Sequence, residues 1–165
     1  MTMTARRVVL ALAASLAMAA CAAPEPEVEV TRRLPLFPGE TQDLRVLVNR
    51  YADEYEVPRT LVHRVIQRES DYRPQARNGP YYGLMQILPA TARGMGFQGQ
   101  AGDLLDAETN LKWAVKYLRG AWLLSDGDET TAVKWYARGY YYEARDRCML
   151  VETNLLHREI NRNCD

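Results

Sequence analysis

Apolar positions along this chain recur at intervals of three and four over most of its length. Leu44, Leu47, Val48, Tyr51 and Tyr55 form one stripe behind Thr41, a suitable N-cap, and predict a helix running to about Glu56. Pro58 then stands at the opening of a second helix, where its missing N–H costs nothing, and Leu61, Val62, Val65 and Ile66 form its stripe. Pro89-Ala90-Thr91-Ala92 predicts a short helix ended by Gly94 and Gly96. Asp106 suits the cap of a longer helix with Leu111, Ala114, Val115, Leu118 and Trp122 on one face. Asp128 suits the cap of another, bearing Ala132, Val133, Tyr136 and Tyr140. A last helical stretch is expected between Arg147 and Arg162, anchored by Leu150, Leu155 and Ile160. Asp71 to Tyr82 holds Pro74, Asn78, Gly79 and Pro80 and is expected as loop. No convincing period-two alternation occurs, so the expected domain is mainly α.

One residue breaks this pattern. Glu69 follows Val62 by seven positions, Val65 by four and Ile66 by three, which puts a carboxyl on the apolar stripe. Desolvation and the negative end of the helix dipole both disfavour its anion and raise its pKa. A general acid working near neutral pH needs that property.

The first residues carry export information. Arg6 and Arg7 precede the apolar run Val8 to Ala20, too short to cross a bilayer comfortably, and Cys21 follows. The segment resembles a bacterial lipoprotein signal cut before Cys21, whose sulfur would take the lipid; Met18 departs from the usual Leu, Val or Ile. Ordinary cleavage after Ala17-Met18-Ala19 is the alternative, and both readings export the protein. Residues 1–20 are thus expected as signal peptide and residues 21–40, with Pro24, Pro26, Pro35 and Pro38 among glutamates, as an extended tether. The globular domain is expected over residues 41–165.

The chain has 21 basic and 21 acidic side chains, which argues against a nucleic-acid partner. Cys148 and Cys164 remain as an even pair in an oxidising compartment, either bridged or as two thiols. His63 and His157 have no metal spacing, and neither a metal nor a cofactor is expected.

Glu69-Ser70, the loop, Gly83-Leu84-Met85-Gln86-Ile87 and then Pro89-Ala90-Thr91-Ala92 resemble the catalytic core of the soluble (Slt) type lytic transglycosylases, glycoside hydrolase family 23. Asn110-Leu111, Ala114 and Tyr117-Leu118 extend the likeness. Trp135-Tyr136-Ala137-Arg138-Gly139 stands where that family usually has Ala-Tyr-Asn-Ala-Gly, so Ala137 replaces an asparagine and Arg138 a small residue. The resemblance implies a lysozyme-like (goose-type/Slt) helical domain that cleaves the β-1,4 bond between N-acetylmuramic acid and N-acetylglucosamine, leaving 1,6-anhydromuramoyl ends. It implies that Glu69 is the acid and base, and that Ser70 orients the site unless it only caps the helix. Met85 would pack on the sugar unless it fills the core. Gln86 would hydrogen-bond the sugar, and Tyr136 would hydrogen-bond near Glu69 unless it is simply a buried aromatic. Arg138 is a candidate for lactyl or peptide carboxylates.

The expected partners are peptidoglycan strands, a membrane through the lipid on Cys21, and a protein of the envelope machinery. The expected location is the periplasm, with anchoring in the outer membrane favoured. A lysozyme-type hydrolase and a non-catalytic glycan-binding or scaffolding module are the competing readings.

Overall fold

Leu61, Val62, Val65 and Ile66, the stripe behind Pro58, are fully buried on α2 (Arg59–Glu69), the helix that carries Glu69. The computed structural model describes residues 35–164. The signal segment, Cys21 and most of the expected tether lie outside the described residues. Helix α1 (Gln42–Glu54) precedes α2, and the Thr41 hydroxyl accepts from the Leu44 N–H at 3.2 Å. Two short strands follow, β1 (Arg77–Asn78) and β2 (Tyr81–Tyr82), paired antiparallel with Arg77 opposite Tyr82. Then come α3 (Pro89–Gly94), a 3-10 helix (Ala101–Leu105), α4 (Ala107–Leu123), α5 (Glu129–Arg138) and α6 (Tyr141–Asp146). The Asp106 and Asp128 side chains accept from the N–H groups of Thr109 and Thr131, as caps should.

Helix α4 is central. It packs against α1, α3 and α5, and Leu111, Ala114, Val115 and Leu118 are wholly buried along it. Burying each leucine or valine of that stripe contributes about 1.5–3 kcal/mol. One glycine of α4 fixes a close approach. At Gly120 a Cβ would stand 2.3 Å from the Tyr140 hydroxyl, which itself donates to the Tyr117 carbonyl at 2.7 Å.

Three expectations need correction. Part of the segment expected as loop is the β1–β2 hairpin, turned through Gly79 at φ +57°. The last helix is α6, and residues 147–162 form turns instead of a helix. Cys148 and Asn154 take positive φ there, and only Leu150 of the three proposed anchors is fully buried, while Ile160 is 45% exposed. A bond between Cys148 and Cys164, with Cα atoms 5.5 Å apart, ties this segment down. Helix α6 escaped the pattern because Tyr140-Tyr141-Tyr142 gives no stripe and Ala144 is its one buried residue.

The third correction concerns the tether's end. Residues 35–40 are fastened to the domain. Arg45 donates through Nε and Nη2 to the two Glu40 carboxylate oxygens at 2.5 Å each, and through Nη2 to the Pro35 carbonyl at 3.0 Å. His63 Nδ1 lies 2.6 Å from the Tyr72 hydroxyl and 3.7 Å from Glu40. Burial pushes the Glu40 carboxyl up, but hydrogen bonds from Arg45 and the Phe37 N–H outweigh it and leave the pKa below the ordinary value.

Candidate active site

Glu69 is the last residue of α2. The chain turns sharply after it because the Ser70 and Asp71 N–H groups both donate to the Ile66 carbonyl, and Asp71 and Tyr72 take φ of 49° and 59°. The Ser70 hydroxyl donates to the Leu84 carbonyl at 2.7 Å, joining the helix end to the returning chain. That leaves the Glu69 side chain 24% exposed, with Arg68 Nε 3.4 Å from Oε1. Burial raises the Glu69 pKa, and the Arg68 charge opposes that rise without cancelling it.

The returning chain is held by Asn110, a fully buried side chain of α4. Its Oδ1 accepts from the Met85 N–H at 2.9 Å, while Nδ2 donates to the Tyr82 and Leu104 carbonyls at 2.8 Å each. Gly83 is required beside it. With φ at +73°, a Cβ there would stand 2.3 Å from Asn110 Nδ2 and 2.4 Å from the Leu104 carbonyl oxygen. From the other side, the Tyr136 hydroxyl of α5 donates to the Met85 carbonyl at 2.9 Å. Burial first, and then the Glu69 charge, push the Tyr136 phenol well above its ordinary pKa.

Gln86 adopts φ 49° and donates from Nε2 to the Ala76 and Gly83 carbonyls at 3.1 and 2.8 Å. This fixes the amide with Oε1 on its other side, buried and without a hydrogen-bond partner among the described residues.

These elements enclose a groove. A hollow of about 320 Å³ is lined by Arg68, Glu69, Asn78, Tyr81, Gln86, Tyr136 and Ala137. A second, of about 240 Å³, shares Tyr81, Gln86, Tyr136 and Ala137 with it and continues past Tyr117, Thr91 and Arg138. Glu69 is the one carboxylate lining either hollow. Among the described residues, no three His, Cys, Asp or Glu side chains gather as a metal site.

Of the residues singled out in the sequence, Glu69, Gln86 and Tyr136 meet in this groove. Ser70 and Met85 do not open onto it. Their side chains are 2% and 0% exposed, so Ser70 ties backbone and Met85 fills core, while the Met85 backbone serves as the joint between α4 and α5. The Tyr136 hydroxyl is directed to the Met85 carbonyl instead of to Glu69. The sequence motif marks Asn110 without showing what it holds. Its signal was a polar side chain on the stripe of Leu111, Ala114 and Leu118, the same irregularity that marks Glu69.

A family model for the transglycosylase SLT domain matches residues 46–146. The chain belongs to the SLT transglycosylase family. Its members are in general lytic transglycosylases, lyases that act on peptidoglycan, and the domain has the family's mainly helical, lysozyme-like fold. The matched stretch of this SLT domain runs from α1 to the end of α6 and includes Glu69, Asn110 and the whole groove. The disulfide segment and the Glu40–Arg45 clasp fall outside it or at its edge. No solved structure matches this SLT chain.

Proposed function

We propose that this SLT domain, as a member of glycoside hydrolase family 23, cleaves the β-1,4 bond between N-acetylmuramic acid and N-acetylglucosamine and forms 1,6-anhydromuramoyl ends, with Glu69 as both acid and base. One observation carries the reading: the groove is lined by a single carboxyl, and its burial keeps it protonated to a higher pH than an ordinary glutamate. Most glycosidases need two carboxylates, but substrate-assisted cases need one.

The proton of Glu69 goes to the glycosidic oxygen as the C1–O bond breaks, and the 2-acetamido oxygen of the same muramoyl residue attacks C1. The Glu69 carboxylate then takes the proton from the muramoyl O6 hydroxyl. O6 displaces the acetamido oxygen at C1, closing the anhydro ring and returning Glu69 to its acid form. No water is consumed. Gln86, its amide held by the Ala76 and Gly83 carbonyls, and the Tyr136 ring form the wall of the groove beside Glu69. The disulfide suits an oxidising compartment, which agrees with an exported, periplasmic enzyme anchored through Cys21.

Mass spectrometry of the soluble products from purified sacculi tests this reading. Wild type should release anhydro-muropeptides, and Glu69→Gln should lose about 10³-fold or more in rate, the upper range for a general acid–base group. Products heavier by one water would make the protein a hydrolase. A protein that binds sacculi and releases nothing would be a binding module.

A further inference from the structure

We propose that Arg138 makes the groove selective for glycan strands whose muramoyl residues carry anionic peptides, through an ion pair with a peptide carboxylate. The inference rests on reading the groove as a peptidoglycan site. Arg138 ends α5 and lines the second hollow beside Ala137 and Gly139. Its guanidinium lies 3.9 Å from the centre of the Trp135 ring. Stacking of that kind holds a guanidinium in place while leaving the N–H groups at its edge free for a carboxylate.

Arg64, Arg73, Arg77 and Arg93 also lack a carboxylate partner among the described residues, but none of them lines either hollow, and most other arginines of the domain are neutralised locally. Arg45, Arg50, Arg59, Arg119 and Arg147 each pair with a carboxylate, and Arg68 pairs with Glu69. Arg138 has no acidic partner among the described residues, and its ring contact is the interaction it makes. An oriented, unneutralised cation at the wall of a hollow otherwise lined by tyrosines, Gln86, Thr91, Gly139 and aliphatic groups is built for an anion. The sugars themselves offer only hydroxyl and amide groups. Carboxylates enter on the muramoyl branch, either as the peptide or as the lactyl group that remains when the peptide is removed. The peptide reaches further from the ring, and Ala137 leaves open the wall it would cross.

Binding separates this from catalysis. Full-length Glu69→Gln protein, with and without Arg138→Gln, would be titrated with three soluble glycans: strands bearing peptides, strands stripped by an amidase to the lactyl carboxylate, and neutral chitin oligomers. Arg138→Gln should weaken peptide-bearing strands about five-fold relative to chitin oligomers, the size of a well-placed exposed ion pair. Arg138→Glu should reverse the preference. An unchanged ratio overturns the inference, and so does an equal or larger loss on stripped strands, which would assign Arg138 to the lactyl group. Circular dichroism of each variant guards against misfolding, and a misfolded Arg138→Gln is replaced by Arg138→Met, read the same way. A wild-type protein that yields no anhydro products yet shows Arg138-dependent binding would overturn the enzymatic reading alone. Products with Arg138-independent binding would overturn this one alone.

Discussion

Asn110→Ala should be among the most damaging substitutions in this domain, although Asn110 lines neither hollow. The amide makes three buried hydrogen bonds of 2.8–2.9 Å, to the Met85 N–H and to the Tyr82 and Leu104 carbonyls. Each contributes about 1 kcal/mol net, and each orphaned buried partner costs about 1–3 kcal/mol, so the expected loss is about 3–9 kcal/mol. That is a large part of the 5–15 kcal/mol typical of a whole domain. At roughly 3–5 °C per kcal/mol for a domain of this size, Tm should fall by more than about 10 °C. Urea titration and thermal melting followed at 222 nm read both quantities. Asn110→Asp supplies a control of nearly equal shape. It keeps the acceptor for Met85 but replaces the donating Nδ2 by one oxygen that faces two carbonyl oxygens. Protonation relieves that conflict, so its native pKa is raised and its deficit should grow as pH rises from 4 to 7. A loss below about 1 kcal/mol for Asn110→Ala would refute the reasoning.

Other consequences are measurable. Because burial raises the Glu69 pKa and Arg68 opposes it, Arg68→Gln should move the basic limb of the pH–kcat/KM profile upward, and a downward move would contradict the assignment. Burial lowers the His63 pKa to about 4, against the attraction of Glu40. The unfolded chain therefore binds the extra proton first, and stability is lost as pH falls from about 6.5 toward 4, by on the order of 3 kcal/mol at most. Urea titrations at pH 6.5 and 4.5 should show that slope, and His63→Gln should flatten it. Cys148→Ser opens a bridge of sequence separation 16. It should cost about 3 kcal/mol, read by urea titration, and speed hydrogen exchange mainly after residue 147.

The sequence showed most of the helices because their stripes and caps are local properties. Thr41, Asp106 and Asp128 each accept the N–H that their positions implied. Over residues 147–162 three aliphatic residues stand at loose helical spacing without forming one face, because positive φ at Cys148 and Asn154 bends the chain into turns. At the site, Glu69 and Asn110 were legible as polar intrusions on apolar faces. The actual use of Ser70 and Met85 was not, since it depends on which backbone carbonyl lies across the fold, fourteen residues away for Ser70 and fifty-one for Tyr136. The surroundings of Arg138 needed the fold as well, because no rule of spacing says that a guanidinium has lain down on its neighbouring indole.

The clasp at the start of the domain also has a mechanical meaning. Arg45 holds the Pro35 carbonyl as well as Glu40, so traction on the preceding chain enters the body of the protein at α1. Gly39, seated so closely on the Asp71 carbonyl that a Cβ there would be 2.6 Å away, lies downstream of that first hold. The turn that aims Glu69 therefore sits behind a strain relief, like the joint of a cable protected by its clamp. A pull on the chain before Pro35 must break the Arg45 hydrogen bond to the Pro35 carbonyl before it reaches Gly39 and the turn that aims Glu69.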